Sequence, residues 1–217
     1  MKIIEITGTA GVGKSYVLNI LTRDKYVVSD MELIQKYHIY EIYLFYLFFK
    51  SKNSFKLLKV ILEITKELNM SLFDKINFIR NTIKKIGKNH YLSNINFIDN
   101  RIVLVDEGIS HIYQNVITTK TQNNLKILIL LNKFISLIDK LPDEVIVVDA
   151  YTPTIIKRLK SRGHKRLKDV KEIEPFVKNS KRNLSVIPKI FSNVQMIINE
   201  DGVNLENLKL VKRENNV

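Results

Sequence analysis

Eight residues near the start of the chain combine types and spacing suited to phosphate chemistry. Gly8-Thr9-Ala10-Gly11-Val12-Gly13-Lys14-Ser15 satisfies G-x-x-x-x-G-K-[ST] at every fixed position. Glycines let backbone N–H groups converge on phosphate oxygens, and a helix opening at Lys14 adds the partial positive charge of its N-terminus. Lys14 has the reach to meet the β- and γ-phosphates, and the Ser15 hydroxyl suits a Mg²⁺ ion. The expected ligand is therefore ATP, or GTP, with Mg²⁺, wrapped by all eight residues.

Other residues have types that complement such a loop. Val105-Asp106-Glu107 has the form of an apolar strand closed by acids, where Asp106 would hold Mg²⁺ together with Ser15. An acid there also serves as a cap for a following helix. If a helix starts here, Glu107, His111 and Gln114 fall on one face of it, either at the site or on an ordinary core-edge face. Asp30 follows a second apolar run, so it would either accept a hydroxyl proton from a second substrate or cap the helix from Met31. Arg158, Arg162, Lys165 and Arg166 surround Gly163, a hinge about which a basic turn could close over the charge of a transferring phosphoryl group. A solvated basic face is the alternative.

These residues need elements to position them. Ile3 to Thr7 predicts a strand before the loop, and the motif opens a helix ending near Arg23 to Lys25. Tyr26 to Ser29, Arg101 to Asp106, Glu144 to Asp149 and Val194 to Ile198 read as further strands. The unbroken apolar character of Arg101 to Asp106 and Glu144 to Asp149 is expected where both faces of a sheet are covered. Between them, Met31 to Asn100 reads as an all-helical insertion, and Thr121 to Lys140 as a helix stopped at Leu141-Pro142. Thr152-Pro153 starts a helix that runs to Ser161 or Arg162 and stops at Gly163. A last helical stretch begins at Leu167 and is interrupted or restarted near Pro175 and Pro188. Strands alternating with helices predict an α/β domain with a parallel sheet and right-handed crossovers.

Composition bounds the function classes. The chain has 217 residues, 45% of them hydrophobic, enough for one domain with a substantial core. It has no cysteine, which rules out a disulfide framework or thiolate zinc site and fits a reducing, cytoplasmic setting. The N-terminus turns polar too early for a signal peptide. The longest apolar run, Ile39 to Phe49, falls short of the roughly 20 residues a membrane span needs. Net charge is +13, with +9 in residues 151–191 and +7 in 50–88, so anionic ligands are expected.

With these residues in view, the chain resembles the P-loop kinase superfamily, deoxynucleoside and thymidylate kinases in particular. The resemblance is carried by the Gly8 to Ser15 loop, by Val103 to Glu107, and by Val145 through Gly163. That last stretch is similar to the strand, proline and Arg-x-x-x-Arg-Gly helix leading into the lid of these kinases. It implies a P-loop NTPase fold with strand order 2-3-1-4-5, one domain over 1–217, a substrate-side helical insertion over 31–100 and a lid over about 163–170. It implies too that Asn199 to Gly202 border the adenine, and that Asp30 is the base. The chain departs from the family at Glu107-Gly108, where an arginine is usual after the acid.

The function expected is thus an ATP- and Mg²⁺-dependent small-molecule kinase, with Lys14, Asp30, Arg158, Arg162 and Arg166 as its catalytic residues. Its partners are a nucleoside triphosphate and a small acceptor, a nucleoside or nucleotide being favoured. The helical insertion, rich in Tyr, Phe, Leu and Ile, leaves a sugar, antibiotic or lipid-like acceptor open. Tyr40, Tyr43, Phe45 and Tyr46 stack a base or belong to the core. The alternative from another class is a nucleotide-switched protein that binds nucleic acid or an acidic partner through its charge.

Overall fold

A computed structural model of the chain describes residues 1–36, 39–95, 101–116, 124–162 and 170–200. Five strands form one parallel sheet: β1 (Lys2–Gly8), β2 (Val27–Ser29), β3 (Ile102–Asp106), β4 (Glu144–Asp149) and β5 (Val194–Ile198), in the order β2-β3-β1-β4-β5. The fold is α/β, and the sheet has the expected strand order. In the register, Ile6 stands opposite both Asp106 and Ile146, and Gly8 opposite Val148. The Gly8 to Ser15 loop therefore leaves the central strand between the carboxyl ends of β3 and β4. Ligands collect at that edge in open α/β sheets.

Side-chain alternation assigns the two faces. Ile4, Ile6, Leu104, Ile146 and Val148 are buried with Val12, Ile155, Leu159, Ile173 and Val177. Those partners belong to the loop, to α8 (Thr152–Arg162) and to α9 (Val170–Leu184), with α1 (Lys14–Leu21) on the same side. Ile3, Val103 and Val105 face the other way, as do Val145 and Val147. They are covered by α2 (Asp30–Lys36), α5 (Leu72–Ser93), α6 (Ser110–Val116) and α7 (Asn124–Ser136), with α3 (Glu41–Lys50) and α4 (Ser54–Glu67) outside. The elements described between β2 and β3 are the helices α2 to α5, as the apolar periodicity predicts.

Within that region α3 packs along α5 through Gly87. A Cβ there would lie 2.0 Å from the Leu44 carbonyl oxygen, so only glycine allows this approach. Leu44 and Phe48 are the buried residues of α3, whereas Tyr40, Tyr43 and Tyr46 are exposed. The core reading of those tyrosines is corrected: at this spacing the inward stripe belongs to Leu44 and Phe48. Among the described residues no helix is long and apolar enough to cross a membrane.

Proline also behaves differently from expectation. Pro175 lies inside α9 and does not interrupt it. The bond it removes would have used the carbonyl of Lys171, a solvent-exposed residue in the first turn. Ile173 and Val177 meanwhile hold the helix against the sheet. Pro188 sits in a short 3₁₀ turn, Ile187–Lys189, after α9 ends. The predicted lid, with Gly163, Lys165 and Arg166, lies outside the described residues except for Val170, which opens α9; Gly202 also lies outside them.

Candidate functional site

The glycine loop is pinned from both flanks. Val12 is buried against α8, and the Thr9 hydroxyl donates to Ser180 Oγ at 3.0 Å. Gly13 caps α1 with φ 89°, a left-handed conformation, and a Cβ on it would come 2.3 Å from Asn199 Nδ2. Asn199 in turn donates to the Val12 carbonyl at 2.8 Å. Ser15 is exposed in the first turn of α1, where backbone N–H groups have no intrahelical acceptor.

Lys14 lies at the centre of a charged cluster. Its ammonium donates to the Gly8 carbonyl at 2.9 Å and lies 3.2 Å from Glu107 Oε1. The other Glu107 oxygen lies 3.4 Å from His111 Nε2, and His111 Nδ1 is 3.5 Å from Thr7 Oγ1. Glu107 has φ 54°, unusual for a residue with a Cβ. The turn that imposes this is fixed from β1: Glu5, itself buried, accepts from the backbone N–H of Ile109 at 2.6 Å and of Ser110 at 2.7 Å. Burial works against ionisation of Glu107, but His111, Lys14 and Lys85 outweigh it and hold the carboxyl below its ordinary range.

Asp106 differs from its neighbour. Its Oδ1 is buried and has no hydrogen-bond partner among the described residues. Burial, and then the nearby charge of Glu107, push its carboxyl up. A buried carboxylate oxygen without a donor lacks a cation or proton. With Ser15 it makes a donor set of hard oxygens, which fits Mg²⁺. Among the described residues no cluster of three or more His, Cys, Asp or Glu side chains would hold a metal alone. Magnesium commonly completes its shell with phosphate oxygens and water.

Asp30 is engaged on both oxygens. Ser29 Oγ, not Asp30, caps α2 by accepting from the Glu32 N–H at 3.1 Å. That leaves the buried Asp30 carboxylate to accept from Lys88 Nζ through Oδ2 and from the Asp106 N–H at 3.4 Å through Oδ1. Lys88 also donates to the Asp106 carbonyl at 3.3 Å, and Lys85 donates to the Glu107 carbonyl. Two lysines of the helical insertion thus reach the carboxyl end of β3.

The arginines divide. Arg158 donates through Nη1 to the carbonyls of Val12 at 3.3 Å and Asn199 at 3.1 Å, and through Nη2 to that of Glu200 at 3.1 Å. It joins α8 to the glycine loop and to the end of β5. Arg162 is exposed in the last turn of α8, and Arg166 lies outside the described residues.

The structure therefore brings the loop, Lys14, Asp30, Asp106, Glu107 and His111 to one sheet edge. The sequence reading missed Glu5, Lys85, Lys88 and Asn199 as a brace. A lone glutamate in an apolar strand was a signal for Glu5. Lysines on an amphipathic helix look like a solvated face, so Lys85 and Lys88 gave none. A cavity of about 210 Å³ bounded by Asn89, His90, Ser93 and Asp139 lies toward the amino-terminal edge of the sheet and shares no residue with this cluster. No protein-family model matches the chain, and no curated protein matches it in sequence.

Proposed function

We propose that this chain is a P-loop kinase, a Mg²⁺-dependent phosphotransferase that passes the γ-phosphoryl group of ATP or GTP to a small acceptor, a nucleoside or nucleotide being favoured. The observation that carries the reading is the position of Lys14. Its ammonium stands where the glycine loop opens, already matched to an anion by the Glu107 carboxylate at 3.2 Å. A triphosphate seated on the loop would exchange one anion for another at that lysine.

In this reading Gly8 to Ser15 bind the phosphates through backbone N–H groups, and Lys14 follows the β- and γ-oxygens. Ser15 and Asp106 would hold Mg²⁺, which when bound offsets the charge on the phosphate oxygens. Arg158 keeps the Val12 carbonyl turned away from those oxygens, and Arg162 and Arg166 close over them. Asp30 takes the proton of the acceptor hydroxyl, for which Lys88 gives up Oδ2. The base is thus exposed only as the acceptor site fills. The acceptor oxygen bonds to the γ-phosphorus while the bond to the β,γ-bridging oxygen breaks, leaving a nucleoside diphosphate and a protonated Asp30.

Calorimetric titration of Mg·ATP and Mg·GTP into the wild type and Lys14→Ala, with diphosphate release measured over a panel of nucleosides and nucleotides, tests this. Binding that Lys14→Ala weakens by at least tenfold is expected. A wild type that binds neither nucleotide overturns the reading.

A further inference from the structure

We infer that Lys85 and Lys88, one turn apart on α5, form a seat for an oxyanion carried by the acceptor, so that the second substrate bears a phosphate or carboxylate group. This rests on the phosphotransfer reading of the same site and narrows its substrate.

Donor accounting is the first support. A lysine ammonium carries three N–H donors. Among the described residues Lys85 spends one, on the Glu107 carbonyl, and Lys88 spends two, on Asp30 Oδ2 and the Asp106 carbonyl. Three donors on adjacent ammoniums remain for a ligand at the carboxyl end of β3.

Charge gives the second. Lys88 is paired with Asp30, but no carboxylate oxygen of a described residue lies within 4 Å of Lys85 Nζ. Glu107, Glu5 and Asp106 exert their fields on it from farther away, and Lys88 repels it. Glu5 is committed, both oxygens to the Ile109 and Ser110 amides, and in the nucleotide-free chain the two Glu107 oxygens face Lys14 and His111. Burial of Lys85 without a direct counterion pulls its ammonium down to about 8. A part-buried cation without a contacting anion is held at a stability penalty, which a bound oxyanion relieves.

Position is the third support. The Glu107 carbonyl that Lys85 grips belongs to the residue whose carboxylate holds Lys14. The lysine pair is thus one residue along the backbone from the proposed phosphoryl donor site, on the Asp30 side of β3.

The experiment uses the intact chain loaded with Mg²⁺ and the non-transferable analogue β,γ-imido-ATP, which fills the glycine loop. Inorganic phosphate, and separately acetate, is titrated by calorimetry into the wild type and Lys85→Met, a change that keeps the apolar stem. Phosphate, acetate or both should bind the wild type, and the one that binds best names the group. That binding should weaken at least tenfold in Lys85→Met, with imido-ATP affinity unchanged within twofold. Equal binding in both proteins, or none to the wild type, overturns the inference. If imido-ATP does not bind, the phosphotransfer reading fails alone: phosphate is then titrated into the unloaded Lys14→Ala and Lys14→Ala/Lys85→Met proteins, and equal affinities overturn the lysine seat. Should Lys85→Met not fold, the Lys85 ¹⁵Nζ resonance of the loaded wild type, identified by its loss in Lys85→Arg, must shift with phosphate or acetate, and an unmoved resonance overturns the inference.

Discussion

Replacing Gly87 with alanine separates two opposed effects on α5. In an exposed helix the change would stabilise by roughly 1 kcal/mol, because glycine is the poorer helix former. At this position the new Cβ would lie 2.0 Å from the Leu44 carbonyl oxygen and 2.8 Å from its carbon. Both are backbone atoms, so no side-chain rotation relieves the clash, and α3 must move about 1.4 Å to restore a normal contact near 3.4 Å. That movement loosens Leu44 and Phe48, the buried residues of α3. Overpacking of this kind costs about 1–3 kcal/mol, and partial exposure of a leucine and a phenylalanine adds about 1–2. Set against the helix gain, Gly87→Ala should destabilise by about 1–4 kcal/mol, which lowers Tm by about 2–16 °C in a chain of this length. Urea unfolding followed by circular dichroism measures it, with Asn81→Ala on the exposed face of the same helix as a control expected within about 0.5 kcal/mol of wild type. A Gly87→Ala protein as stable as the wild type, or more so, would refute the packing argument.

Four further outcomes are expected. Asp30→Asn should lower turnover by about 10²–10⁴ with nucleotide affinity nearly intact; a lower Tm at unchanged rate would make Asp30 an anchor for Lys88 only. Arg162→Ala should depress kcat more than nucleotide binding. If it instead flattens the salt dependence of polynucleotide binding by about one unit of log–log slope and leaves transfer untouched, the charge serves nucleic acid. Arg158→Ala, which leaves the Val12 carbonyl held by Asn199 alone, should weaken nucleotide affinity and lower Tm together, and a stable variant with normal affinity contradicts the brace. Lys85 has its ammonium lowered from 10.5 to about 8, so between those values the unfolded chain binds more protons and stability rises with pH. Below pH 8 the penalty is complete, of order 3 kcal/mol as an upper figure. Lys85→Met should therefore be more stable at pH 7 and rise less from pH 8 to 10.5 in urea titrations, and parallel pH profiles would contradict that.

The inner strands were legible because β1, β3 and β4 are apolar runs covered on both faces, the last two closed by Asp106 and Asp149, whereas β5 lies at the edge with Met196 and Ile198 exposed. Thr152-Pro153 and Arg162-Gly163 marked α8 at both ends, and the glycine loop announced itself by fixed spacing. What could not be read depends on contacts distant in sequence. Pro175 reads locally as a breaker, because the exposure of the carbonyl it leaves unpaired is a tertiary fact. Arg158 reads as a ligand until the three carbonyls it meets are known. Asp30 looked like a helix cap or a free base, whereas Ser29 caps the helix and Lys88, 58 positions later, takes the carboxylate. Lys85 and Lys88 matter only because α5 lies across the end of β3, which no local pattern encodes.

The place of β1 at the middle of the sheet also dictates when the site can exist. Its hydrogen-bond partners are β3 at 102–106 and β4 at 144–149, so the first of the five strands to be made is flanked on both sides only after residue 149. The glycine loop further needs α8 and Asn199 to hold it. During synthesis, at about 5–20 residues per second, β1 therefore remains an unpaired apolar edge for several seconds. Pairings this distant in sequence also close slowly in the finished chain. The nascent Ile3 to Ile6 segment is where chaperone protection, or aggregation in its absence, would concentrate.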